Sequence, residues 1–166
     1  MKKNLLLLML LAACAPKVTK TTVKEPIGSP PSTVTALPSA ARGSNMTGGA
    51  SPRAAVEQFL IAVKAQDLQA MSVIFGTNQG PSRDNMNRDE LEKRLVILQC
   101  YFNHDKFRIV SENPGERGHR IVEAELQRDG VTRTPSFYAV SGPANRWYID
   151  NMEIAAVRDF CRRSGP

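Results

Sequence analysis

Apolar side chains change their spacing once along this chain, near residue 103. Before that point they recur every three or four positions, the period of a helix with one buried face. Val56, Phe59, Leu60 and Val63 form the first such stripe. Ser51 and Pro52 open it, a hydroxyl cap followed by proline at the first helical position. Asp67 caps a second, shorter helix through Leu68, Met71, Ile74 and Phe75, and Gly76 stops it. A polar loop follows from Thr77 to Met86. Asn87, with Glu90 three residues on, makes a capping-box start for a third helix whose stripe is Leu91, Leu95, Leu98 and Phe102.

After Asn103 the period shortens. Lys106–Glu112, His119–Arg128, Val131–Val140 and Arg146–Ile154 read as strands. Short turns separate them, Asn113–Gly118, Asp129-Gly130 and Gly142–Asn145, so neighbouring strands run antiparallel. Pro135 cannot donate to a ladder and is expected at an edge or a bulge. Helices first and strands after predict an α+β domain over 51–166. About three N-terminal helices would pack on one face of a four-stranded antiparallel sheet. Residues Ala155 to Arg163 form a short helix or a tail that can return Cys161 towards Cys100.

The first fifty residues have another character. Lys2 and Lys3 precede the apolar run Leu5–Leu11, then Ala12, Ala13 and Cys14, the three parts of a secretory signal. The run is too short to span a bilayer, which takes roughly 20 apolar residues as a helix. Leu11-Ala12-Ala13-Cys14 resembles the lipobox of bacterial lipoproteins. The resemblance implies a signal peptide at 1–13, cleavage before Cys14, and acyl chains on the Cys14 thiol and amine. More than one chain gives durable anchoring. Ala15 in place of aspartate favours the periplasmic face of the outer membrane if the host has two membranes. The competing reading is an ordinary cut around Ala13-Cys14-Ala15 that releases a soluble protein. Of the three cysteines, Cys100 and Cys161 remain as an even pair in an oxidising compartment, either bridged or buried as two free thiols.

Residues 14–50 join the acylated cysteine to the domain. From Ala15 to Ala50 they are rich in Pro, Ser, Thr and Gly and cannot bury enough apolar surface to offset the entropy of ordering. They read as a flexible linker with a reach on the order of 35 Å as a coil, or roughly 110 Å drawn out. The linker also explains the charge. The chain carries a formal +6, yet beyond residue 50 there are 16 Lys and Arg against 15 Asp and Glu. A nearly neutral domain with interspersed charge does not have the basic footprint of a nucleic-acid binder.

Ser51-Pro52-Arg53-Ala54-Ala55-Val56-Glu57-Gln58-Phe59-Leu60, Ala65-Gln66-Asp67-Leu68 and the late Asn145-Arg146-Trp147-Tyr148-Ile149 resemble the nuclear transport factor 2-like superfamily. The resemblance implies a curved sheet wrapped on the helices around a conical pocket, with Phe59, Trp147 and Ile149 on the pocket wall. Some members of that superfamily are isomerases or dehydratases with an Asp or His base. Here no residue matches such a base position by position. His104 ends the third helix as a surface placement, His119 opens a strand at a solvated turn, and Tyr138, Tyr148 and Asp150 fall on strands. Two distant histidines without a Cys-x-x-Cys argue against zinc. Asp84–Glu90 lacks the glycine of a calcium loop and reads as a loop entering a helix cap. No catalytic set, metal or cofactor is expected. The leading expectation is a membrane-tethered, non-catalytic envelope protein whose domain binds a partner protein or a small apolar ligand. A small acid/base enzyme and a dimerising scaffold are the alternatives.

Overall fold

In the computed structural model, which describes residues 47–162, the first helix starts where the Ser-Pro pair places it. Helix α1 (Pro52–Lys64) is capped by Ser51, whose Oγ accepts from the Ala54 N–H at 3.1 Å. Helix α2 (Leu68–Ile74) is capped by the Asp67 carboxylate on the Ala70 N–H at 2.9 Å. The stretch expected as a plain loop holds more structure. Gly76–Thr77 (β1) and Gly80–Pro81 (β2) form a small hairpin, followed by one helical turn, α3 (Ser82–Asn85). Helix α4 (Arg88–Phe102) begins at Asn87, whose side chain accepts from the Asp89 and Glu90 N–H groups. Only that half of the expected capping box forms, because the Glu90 carboxylate pairs with Arg94 at 2.6 Å.

The sheet is antiparallel and five-stranded, not four-stranded. Its strands are β3 (Lys106–Pro114), β4 (Arg120–Arg128), β5 (Val131–Arg133), β6 (Ser136–Ser141) and β7 (Trp147–Met152), in the order β3-β4-β6-β7 with β5 also on β4. The extra strand comes from Pro135, which splits the expected Val131–Val140 strand in two. Both halves pair with β4 in one register, Leu126 with Arg133 and Glu123 with Ser136. Proline removes a donor without shifting the ladder, and the Pro135 carbonyl still accepts from the Ala124 N–H at 3.3 Å. Asp129 and Gly130 join β4 to β5 with φ of 49° and 76°, the pair of left-handed residues a type I′ hairpin needs.

Two bulges interrupt the ladders. Ile109 pairs with Ala124 and Ser111 with Glu123, which leaves Val110 as the extra residue of β3. Ala139 pairs with Ile149 and Tyr138 with Asn151, which leaves Asp150 as the extra residue of β7. A bulge re-aims a side chain, and Asp150 returns below.

Helices and sheet meet over a core of alternate strand residues, among them Val122, Ala124, Leu126, Phe137 and Ile149. Phe59 of α1, Phe102 of α4 and Phe137 of β6 touch ring against ring, with centroids 6.4, 6.3 and 5.2 Å apart. Burying each such ring contributes about 1.5–3 kcal/mol. A 3-10 turn (Ile154–Val157) and a short helix α5 (Arg158–Arg162) close the fold, with Val157 and Phe160 fully buried. Cys161 of α5 is disulfide-bonded to Cys100 of α4 with their Cα atoms 5.0 Å apart.

The last residues assigned to the linker are bonded into this domain. Gly48 N–H donates to Val73 O, Gly49 and Trp147 exchange both backbone bonds, and Arg146 donates to the Thr47 and Gly48 carbonyls. Thr47 Oγ1 meets the Tyr148 hydroxyl at 3.0 Å. The signal segment, Cys14 and the linker up to residue 46 lie outside the described residues. Among the described residues no helix is long and apolar enough to cross a membrane.

Candidate functional site

The interior that the resemblance assigns to a pocket is packed. Phe59 and Ile149 have no exposed surface and belong to the core, so neither lines a cavity wall. Trp147 is half-buried against the same core and carries the backbone bridge to Gly49. The reason is volume: three phenylalanines from three elements fill the space between helices and sheet.

Histidine chemistry is distributed differently from the expectation. His104, expected at the surface, is 3% exposed. Its Nδ1 lies 2.8 Å from the Phe102 carbonyl, its ring stands edge-on to Phe107, and its Nε2 is buried without a hydrogen-bond partner. Burial pushes its pKa below the ordinary 6.5, so the ring is neutral with Nδ1 as the donor. His119, expected in a solvated turn, is instead half-buried. Nε2 lies 2.7 Å from Asp150 Oδ2 and Nδ1 lies 2.9 Å from the Glu116 carbonyl. Both partners are acceptors, so the protonated ring can donate from both nitrogens. The hydrogen bond to Asp150 raises its pKa, with burial acting against it.

This pair lies beside a depression of about 600 Å³ that Arg117, Ile121, Tyr138 and Asn151 also line. Arg117 adopts φ 53° in the turn before His119, an unusual conformation for a residue with a side chain. Asp150 Oδ1 is buried without a partner. The arrangement can hold and position groups. Both ring nitrogens already have partners within the fold. Tyr148, the other tyrosine considered, is 1% exposed and bound to Thr47, so it faces no ligand.

The clearest unpartnered surface is on α4. Leu91, Leu95, Leu98 and Phe102 turn inward, whereas Val96 and Ile97 stand 50% and 53% exposed. Ile97 walls two concavities. One, of about 550 Å³, is bordered by Lys93 and Val96; the other, of about 300 Å³, by Phe75, Leu98, Met152 and Ile154. Neither residue was singled out as a site from the sequence. The signal was present: they are the two large apolar residues of α4 that fall off its buried stripe.

Together these features define an α+β domain with a five-stranded antiparallel sheet, a filled core and an apolar outer helix face. The chain matches no known family model, and it matches no curated protein.

Proposed function

We propose that this chain is a lipid-anchored envelope protein whose folded domain docks a partner protein on the outer face of α4 and catalyses no reaction. The observation that carries the docking is the exposure of Val96 and Ile97 side by side, between two shallow concavities. Leaving two large aliphatic side chains half in water forgoes burial worth about 1 kcal/mol or more each, and contiguous exposed apolar surface of this kind marks interaction sites. The address rests on cysteine use. Cys100 and Cys161 pair with each other, as in an oxidising compartment, which supports export, and the resemblance of Leu11-Ala12-Ala13-Cys14 to a lipobox makes Cys14 the acylation site of this reading. We read the domain as nuclear transport factor 2-like. The order of helices then antiparallel strands supports this reading, while its packed interior departs from the conical pocket of that family. The acid/base alternative loses support because both ring nitrogens of His119 are already engaged by Asp150 and the Glu116 carbonyl.

Native mass spectrometry of the acylated chain, gently extracted from its own membrane, tests the reading. The expected spectrum contains the chain bound to a second, different protein, and Ile97→Lys loses that mass without losing its fold. A bare chain, a homodimer, or a complex indifferent to Ile97→Lys overturns it.

A further inference from the structure

A groove of about 380 Å³ runs between α2 and α4, with α3 at its border. Leu68, Leu91 and Leu95 form an apolar floor, the latter two 5% and 2% exposed. The buried Ser72 hydroxyl on that floor is already committed to the Gln69 carbonyl at 2.7 Å. Two guanidinium groups stand on the rim, Arg83 and Arg88. Arg83 meets its sequence neighbour Asp84 at 3.2 Å, with both side chains largely in water, a weak pairing. Arg88 makes no ion pair or hydrogen bond within the described residues.

The position of Arg88 is informative. It is the first residue of α4, whose first turn also carries Asp89 and Glu90, yet its guanidinium pairs with neither of them among the described residues. A guanidinium left without a protein partner at the mouth of a groove is where a ligand is to be sought. The helix end itself is not the ligand site, because Asn87 already occupies the Asp89 and Glu90 N–H groups.

We infer that this groove binds a small amphipathic monocarboxylate, its carboxylate held by Arg88 and Arg83 and its apolar body laid over Leu68, Leu91 and Leu95. A guanidinium presents a planar fork that matches a carboxylate. The groove is at the small end of ligand sites, which run from about 300 to 1,000 Å³, so it suits one ring or a short acyl chain. Glu92 shares the rim and subtracts from its charge, which selects a monoanion over a dianion. Ile97 does not line this groove, although Glu92 borders both the groove and the concavity beside Ile97.

Calorimetric titration of the acylated full chain in lipid nanodiscs with 4-phenylbutyrate, empty nanodiscs subtracted, tests this. Saturable one-to-one binding is expected. The neutral amide of the same acid binds about tenfold more weakly or worse, and Arg88→Gln and Arg83→Gln each weaken the acid about tenfold. Arg88→Lys retains an intermediate affinity, since it keeps the charge and loses the fork. The acid–amide comparison needs no variant, so it stands even if a substitution disturbs folding. No saturable heat, equal affinity for acid and amide, tighter binding of the dianion phenylsuccinate, or undiminished binding in the folded double Arg variant overturns the assignment.

Discussion

His119 donates from Nε2 to Asp150 Oδ2 across 2.7 Å, and the same ring donates from Nδ1 to the Glu116 carbonyl across 2.9 Å. The imidazolium thereby ties the turn between β3 and β4 to the bulge of β7. It is a cationic clamp between two parts of the sheet that no ladder joins directly.

The clamp makes stability depend on pH. The His119 pKa is raised above 6.5, first by the bond to Asp150. A group with a raised folded pKa contributes fully below its unfolded value, and its contribution is lost as pH rises through the folded value. The stability gap between wild type and His119→Gln should therefore narrow as pH climbs above 6.5. Denaturant melts on both sides of neutrality measure it, and a gap that ignores pH would contradict the clamp.

His104 bends stability the opposite way. Burial lowers its pKa below 6.5, so the folded state keeps a neutral ring while the unfolded chain takes up a proton in acid. Its contribution is present above 6.5 and lost as pH falls below that value. The prediction is that His104→Phe gains on wild type as pH drops through this range. Parallel melting curves for the two proteins would sink it.

The disulfide should matter more than its size suggests. Its partners are 61 residues apart, and closing a loop of that length restricts the unfolded chain by about 4 kcal/mol on the chain-entropy model. Reduction, or Cys100→Ala with Cys161→Ala, is expected to lower the denaturation midpoint accordingly and to loosen α5 with Phe160. Equal midpoints with and without reductant would show that the bridge contributes nothing.

Two glycines with left-handed backbones separate strain from collision. Gly118 (φ 81°) has open space where a methyl would stand, so Gly118→Ala should cost about 1 kcal/mol from backbone strain alone. At Gly48 (φ 72°) a methyl would stand 2.9 Å from the Trp147 carbonyl and the Tyr148 ring. Gly48→Ala is expected to cost at least about twice as much, since overpacking adds to the strain. Thermal melts of the two variants decide, and equal costs would mean that Thr47–Gly49 does not hold to the domain.

Lipid anchoring has a direct check at Cys14. Cys14→Ser should abolish incorporation of labelled palmitate and leave an unprocessed or soluble chain. Unchanged membrane retention of the variant would show that Cys14 is not the anchor.

The elements most legible in the sequence are those encoded within a few residues. Ser51, Asp67 and Asn87 were readable as caps because a cap is a bond between a side chain and an N–H two or three positions away. Asp129-Gly130 was readable because both turn residues must accept positive φ. The break at Pro135 was half-legible: the missing donor shows in the sequence, but not that the ladder resumes in the same register. Of the surfaces, the exposed Val96 and Ile97 could have been found from helix period alone. The His119–Asp150 pair could not, since its partners are 31 positions apart and meet because of a bulge.

By itself, then, the sequence determined the fold class, the starts of the three longest helices and the Asp129-Gly130 turn, all through short-range geometry and composition. Tertiary structure alone decided that Phe59, Phe102 and Phe137 would fill the interior, that His104 would be buried and His119 clamped, and that Cys161 would reach Cys100. Those outcomes depend on which distant side chains compete for one volume. Packing settles that competition only once the whole chain has closed on its core.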